Sequence, residues 1–438
     1  MDAELVAEGA EGFPSRAEID SRRVGSGDLF FGLAGESADG GTFAEAAIGA
    51  GAWGAVVRPE HAAGLSGCWV FATADPLRAL GGLAREWRRR LGARVIGITG
   101  SVGKTSVKDI AGALLPGRVE ASPENFNTEI GLPLAVLAAE SGTETLVLEM
   151  AMRGAGQIAE LAQIAEPDVA VITSVGPVHV ELLGSVEAIA AVKAEILADL
   201  PAGGAAVVPV DSPPLEGHLD AVPRLLRFGE GGDVAALGSE VGTTSMEALI
   251  STPLGEQSFH FPFTEAYNLS NALAAVAAGV ALGVSPAEMA ARAPRIGFSR
   301  LRGERLEMGD GVILVNDCYN ANPVSMRAAL DHLATLDATR RVAVLGEMAE
   351  LGPDAAAFHR QIGEHARRQG IDLLIGVGEA ARDYGPDELV ADPEEAAELL
   401  APQLGHDEVI LVKGSRSAGL EAVAVALDEL LAAPVEDD

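Results

Sequence analysis

One ten-residue segment constrains this chain more than any other: Ile96-Gly97-Ile98-Thr99-Gly100-Ser101-Val102-Gly103-Lys104-Thr105. An apolar run of strand type enters a glycine-rich turn and meets Lys-Thr where a helix is expected from near Ser106. Glycines let backbone N–H groups close round a phosphate, and the helix N-terminus adds a positive field. Lysine reaches the β- and γ-phosphates, and the threonine hydroxyl is a ligand for Mg²⁺. The strict phosphate-loop spacing puts glycine at 98, where this chain has Ile98. A dinucleotide fingerprint fails on the spacing of Gly97, Gly100 and Gly103 and on the missing acid at the end of the next strand.

Around that loop the pattern of strand, turn and helix repeats. Apolar runs at 95–99, 146–149, 169–173 and 205–209, separated by helical segments, read as a parallel sheet covered on both faces. Upstream, short β-like runs at 28–33, 54–57 and 68–72 alternate with an Ala-rich helical stretch at 43–50, a small α/β unit that looks short before Asp20. A helix over 76–91 closes this unit, its end marked by Arg88-Arg89-Arg90 and Gly92. Downstream, 297–303 is basic and Gly-rich, and a second α/β series follows at 312–315, 342–345, 373–377 and 409–412. A chain of 438 residues fits this count of three units. The expected boundaries are 1–92, 93–299 and 300–438.

The charge balance limits the partners. Asp and Glu total 64 against 31 Lys and Arg, for a formal net charge of -33. That disfavours nonspecific nucleic-acid binding and anionic membranes, and it fits either a high-salt proteome or a high-GC genome. Cys68 and Cys318 lie far apart with no metal-type spacing, which excludes a zinc framework or disulfide scaffold. The acidic start, Met1-Asp2-Ala3-Glu4-Leu5, lacks the basic region of a signal peptide. The longest apolar stretch, 269–284, is too short and too rich in Ala and Gly to span a bilayer. A cytoplasmic location without membrane insertion is expected.

Two further residues sit where phosphate chemistry needs them. Thr145-Leu146-Val147-Leu148-Glu149-Met150 delivers a carboxylate to the sheet edge that carries the loop, where acids hold Mg²⁺; a solvated strand-end Glu is the alternative. One strand later His179 reaches the same edge. A lone histidine is more often structural than a ligand.

Taken together, these segments resemble the Mur ligase family of ATP-dependent amide ligases. The resemblance rests on Thr99 to Thr105, Asn125-Phe126-Asn127-Thr128-Glu129-Ile130-Gly131-Leu132-Pro133, Glu149-Met150 and Gly176-x-x-His179-x-Glu181-x-x-Gly184-Ser185. Three more segments extend it: Asn316-Asp317-Cys318-Tyr319-Asn320-Ala321-Asn322-Pro323-x-Ser325-Met326, Leu345-Gly346-Glu347-Met348-x-Glu350-Leu351-Gly352 with His359, and Leu411-Val412-Lys413-Gly414-Ser415-Arg416. They look like the member type that adds D-alanyl-D-alanine to UDP-N-acetylmuramoyl-tripeptide in peptidoglycan precursor synthesis. Asp20-Ser21-Arg22, Gly27-Asp28-Leu29-Phe30 and Gly35-Glu36-x-x-Asp39-Gly40 fit the same type, and the resemblance runs from about residue 20 to about 425.

The resemblance implies an α/β protein of three domains: a small N-terminal α/β UDP-binding domain, a central P-loop parallel-sheet ATPase domain and a C-terminal Rossmann-like α/β domain. It implies ATP and Mg²⁺, with Gly100, Ser101, Gly103, Lys104, Thr105 and Ser106 on the phosphates. Asn268 and Asn271 are expected near adenine, with helix capping as the competitor for Asn268. Arg305, Asp317, Tyr319, Asn320 and Asn322 complete the ATP set, Asp317 on the ribose; an ordinary turn is the competing reading of Asn320 to Pro323. Ser21, Arg22, Asn125, Asn127, Thr128, Lys413, Ser415 and Arg416 are the implied substrate contacts. Thr105 and Glu149 would hold a first Mg²⁺ and His179 a second. Lys193 matches a lysine that becomes carbamoylated and supplies an anionic oxygen, so Lys104, Lys193, His179 and Glu149 are the implied catalytic group. A monomer is expected, and the third residue of the acceptor peptide, meso-diaminopimelate or L-lysine, stays open.

Only four lysines, Lys104, Lys108, Lys193 and Lys413, stand against 27 arginines, and three of the four fall inside these motifs. Arginine can replace neither a carbamoylated amine nor a compact ammonium in a phosphate loop. Lys108 reads as solvated or structural. The chain departs from the family pattern at Val102, where Asn is usual, at Tyr267 for a common His, at Glu265 for Gly and at Pro209 for Asn. Another Mur-like ligase, such as a folylpolyglutamate synthase, and a P-loop switch are the rival readings.

Overall fold

A computed structural model describes residues 3–35, 38–123, 125–177 and 183–432. The first sheet runs in the order Glu4–Ala7, Trp69–Ala72, Gly54–Val57, Leu29–Phe31, Ala17–Glu18, with only Glu4–Ala7 antiparallel to its neighbour. Two of these strands lie before Asp20, where the sequence pattern shows none. The pattern missed them because Glu4–Ala7 is a largely exposed edge strand and Ala17–Glu18 has two residues.

Helix Pro76–Leu91 follows. Asp75 caps it by accepting from Arg78 N at 3.0 Å, and Gly92 ends it at φ 64°, left-handed backbone that glycine takes without a steric cost. Its basic last turn docks onto the next domain: Arg88 donates to Ala165 O and Glu166 O, and Arg85 and Arg89 bind the Glu166 carboxylate.

The second sheet is all parallel in the order Leu225–Phe228, Ala205–Pro209, Val169–Ile172, Arg94–Thr99, Thr145–Glu149, Val119–Ala121. Strand Arg94–Thr99 is buried from Val95 onward because helices cover both faces. It lies between the strands ending at Glu149 and Ile172, so the loop after Thr99 opens into the crevice at the C-terminal ends of the strands. Helix Lys104–Leu114 packs on the small-residue helix Ala266–Ala281. An antiparallel sheet of Ala235–Val241, Met246–Thr252 and Gly255–Phe261 closes the core from one side, an addition that the strand-and-helix alternation did not reveal.

The third sheet has the order Glu304–Glu307, Ile313–Asn316, Glu408–Lys413, Arg340–Leu345, Leu373–Val377, Glu388–Val390, parallel except for the first strand. The segment before it is pinned to the second domain, with Ser299 N and Oγ donating to Asp109 at 2.8 and 3.1 Å. Among the described residues no helix is long and apolar enough to cross a membrane.

Candidate functional site

The phosphate loop is held open by its neighbour strand. Ser101 N donates to Ser174 O at 2.9 Å, Val102 N to Ser174 Oγ at 2.9 Å, and Thr173 Oγ1 to Val102 O at 2.5 Å. Gly100 has φ 153°, and a Cβ there would stand 1.9 Å from Thr173 Oγ1. Gly103 has φ 88°, and its Cβ would stand 2.4 Å from Asn271 Oδ1. Neither position admits a side chain. The helix begins at Lys104, two residues before the expected Ser106, because Gly103 turns the chain directly into it. Ser106 therefore lies in the first turn, where backbone N–H groups have no intrahelical acceptor.

Lys104 Nζ reaches back over the loop to Gly100 O at 3.0 Å. Burial pulls its pKa down and Arg302 adds to the shift, while Glu149 opposes it. Glu149 is 3% exposed; Thr105 Oγ1 donates to its Oε2 and Asn127 Nδ2 to its Oε1, both at 2.8 Å. Ser122 Oγ accepts from Glu149 N at 3.2 Å. A hydroxyl and a carboxylate side by side are hard oxygen donors of the kind Mg²⁺ takes with phosphate oxygens. Lys193 is buried, and burial, with the Lys104 charge beside it, pushes its pKa well down. His179 lies outside the described residues.

Two cavities share Arg302 in their walls, and the larger reaches the loop at Lys104. The larger, about 1230 Å³, is lined by Lys104 and Glu149 and by residues from all three sheets' domains, among them Asp20, Asn125, Thr128, Tyr319 and Ser415. The smaller, about 270 Å³, lies between Thr264, Glu265, Asn268, Arg302 and Arg305. Asn268 does not cap its helix, whose N-cap is Glu265. It donates to Glu265 Oε2 at 3.3 Å and accepts from Asn271 Nδ2 at 3.2 Å, so Asn271 links this cavity to Gly103 without lining it.

Other expected residues land differently. Ser21 and Arg22 do not line the large cavity; Arg22 folds back onto Asp20 at 2.7 Å and holds that carboxyl down at about 2. Asn127 lines it, but its amide is spent on Glu149. Asn322 caps helix Pro323–Thr335, accepting from Val324 N at 3.1 Å and Ser325 N at 3.0 Å, and lines neither cavity. Lys413 is 2% exposed and braces the fold through Asp317 Oδ2 at 2.6 Å, Asp317 O at 3.3 Å and Asn320 O at 3.1 Å. Asn320, Ser415 and Arg416 line the large cavity, Arg416 paired with Glu421 at 2.6 Å. Lys108 is not solvated: it is 3% exposed and donates to Ser122 O at 3.0 Å.

Arg302 was not foreseen. Its Nη2 donates to Thr105 Oγ1 at 3.1 Å, and its guanidinium carbon lies 4.0 Å over the Tyr319 ring. The basic, Gly-rich character of 297–303 was the available signal, but which arginine reaches the loop depends on the path of the chain.

Family models match three successive stretches: the Mur ligase family catalytic domain over 16–77, the Mur ligase middle domain over 98–279 and the Mur ligase glutamate ligase domain over 301–416. A UDP-N-acetylmuramoyl-tripeptide--D-alanyl-D-alanine ligase of Mycobacterium bovis is 39% identical over 94% of this chain and 91% of its own length. The chain belongs to the Mur ligase family. Among solved Mur ligases, MurF from Acinetobacter baumannii superposes with a TM-score of 0.88 at 30% identity, covering 94% of this chain and 93% of that one. MurF from Thermotoga maritima, in complex with ADP, gives 0.85 at 31% identity over 95% and 97%. This Mur ligase keeps the three-domain α/β build of its relatives.

Proposed function

We infer that this Mur ligase joins D-alanyl-D-alanine to UDP-N-acetylmuramoyl-tripeptide with conversion of ATP to ADP and phosphate, in peptidoglycan precursor synthesis. The observation that carries the reading is one large cavity onto which Lys104, Glu149 and residues of all three domains open. The γ-phosphoryl of ATP passes to the terminal carboxylate of the UDP-linked peptide. The dipeptide amine then attacks the acyl phosphate, and phosphate leaves from the tetrahedral intermediate. Charge builds on phosphoryl oxygens, so catalysis is positioning plus cations.

In this reading the N–H groups at Gly100 to Ser106 and Lys104 hold the phosphates. Arg302 adds a second cation at Thr105. Asn127 and Ser122 hold Glu149 in place, and Thr105 and Glu149 would hold Mg²⁺, which when bound neutralises charge between phosphates. Lys193, with its depressed pKa, is suited to carbamoylation, which needs the neutral amine. The smaller cavity takes adenine against Asn268 and Arg305. Domain boundaries fall at 92/93 and 299/300, and the enzyme works as a cytoplasmic monomer without nucleic-acid or membrane partners.

The test is ATP-dependent phosphate release with UDP-linked tripeptides, with and without D-alanyl-D-alanine. Release that depends on both is expected. Release unaffected by any amine acceptor would favour a P-loop switch.

A further inference from the structure

Six cationic side chains line the large cavity: Arg16, Arg23, Lys104, Arg153, Arg302 and Arg416. Five are engaged. Arg16 pairs with Asp28 at 3.0 Å, Arg23 with Glu18 at 3.8 Å and Arg416 with Glu421 at 2.6 Å. Lys104 and Arg302 are bound within the phosphate loop. Arg153 is exposed, and among the described residues its guanidinium has no ion pair and no hydrogen bond. In a chain with twice as many acids as bases, a cation left without an acid in the substrate cavity points to an anion brought by the ligand.

The backbone under Arg153 is fixed. Gln157 Oε1 accepts from Arg153 N at 2.6 Å and Gly154 N at 3.0 Å. Ala151 N donates to Asn127 O at 2.8 Å, next to the amide that holds Glu149. Gly156 N donates to Glu195 Oε1 at 2.7 Å, two residues beyond Lys193. The loop is thus tied to both sides of the reaction centre, and only the arginine side chain is left for a ligand.

We propose that Arg153 selects a dicarboxylic third residue, docking the carboxylate of the acceptor peptide that is not activated. This rests on the function proposed above. Of the two third residues, meso-diaminopimelate carries its distal amine with a carboxylate on the same carbon, whereas L-lysine carries the ammonium alone. A planar guanidinium forms paired hydrogen bonds with that carboxylate and repels a bare ammonium.

Steady-state kinetics with the two UDP-linked tripeptides, for the wild type and for Arg153→Ala, Arg153→Lys and Arg153→Glu, test this. Arg153→Ala should raise KM for the meso-diaminopimelate peptide roughly tenfold or more with kcat little changed, while KM for the L-lysine peptide holds or falls. Arg153→Lys should recover part of the loss and Arg153→Glu should reverse the preference. An unchanged KM for ATP checks that the fold is intact. Equal losses on both peptides would overturn the proposal, because the arginine would then meet a carboxylate they share, such as that of the second residue. No change on either would also overturn it. Ligation of neither peptide by the wild type would instead overturn the proposed function.

Discussion

Arg302 Nη2 lies 3.1 Å from Thr105 Oγ1, while the same guanidinium packs over Tyr319. One side chain from the start of the C-terminal domain therefore touches both Thr105 of the second domain and Tyr319 of its own. Arg302→Ala should lower kcat/KM for ATP roughly tenfold to a hundredfold, since a cation aimed at developing phosphoryl charge is lost. Arg302→Lys should recover little, because an ammonium can neither stack on the ring nor keep the planar fork. Steady-state kinetics at fixed peptide concentration measure both; wild-type kcat/KM in Arg302→Ala would show that the contact is only structural.

Lys104→Arg should cut ligation roughly 10³-fold or more, because a guanidinium cannot fold back to Gly100 O beneath a bound phosphate. Circular dichroism should stay that of the parent. Lys193→Ala should lose ligation and regain part of it with added short carboxylic acids. Normal turnover by that variant without an additive would sink the carbamate role.

Lys413 and Asp317 form an ion pair at 2.6 Å with the lysine almost fully enclosed. Lys413→Met should destabilise the protein by about 3 kcal/mol, since the carboxylate is left without its cation. Adding Asp317→Asn should restore part of that. Thermal unfolding reads both, and a Tm unchanged in the single variant would mean that the pair contributes nothing.

Glu166 gives a pH dependence of definite sign. The hydrogen bond from Arg89 holds its carboxyl below the usual 4.5, helped by Arg85 and opposed by burial. The folded state thus binds its proton less readily than the unfolded one. This contribution is complete above about 4.5 and is lost as pH falls through the lower folded value. Glu166→Gln should cost about 1 kcal/mol at neutral pH, less at high salt, and flatten the acid limb of the stability curve. Denaturant titrations between pH 3 and 7 on the order of one unit apart would show it.

Much of the fold was legible because buried parallel strands are short apolar runs and because glycine and lysine mark the turn that follows the first of them. The helix Pro76–Leu91 is legible in its proline start, arginine end and Gly92. The antiparallel sheet Ala235–Phe261 and the strand Glu4–Ala7 were not, since their outer faces are exposed and weakly patterned. Within the site, Lys104 and Thr105 are legible in the glycine-rich turn and the helix start after it, and Glu149 in a strand end. The bracing contacts of Asn322 and Lys413 are not legible in a motif, because they depend on the path of the chain around each residue.

The sequence by itself determined the phosphate loop, the order of the three α/β units and the scarcity of lysine, all local or compositional properties. Tertiary structure alone decided which charges are already neutralised. Pairing depends on contacts between residues far apart in the chain, as Lys413 with Asp317 and Arg16 with Asp28. Among the described residues, Arg153 has no side-chain partner in the cavity.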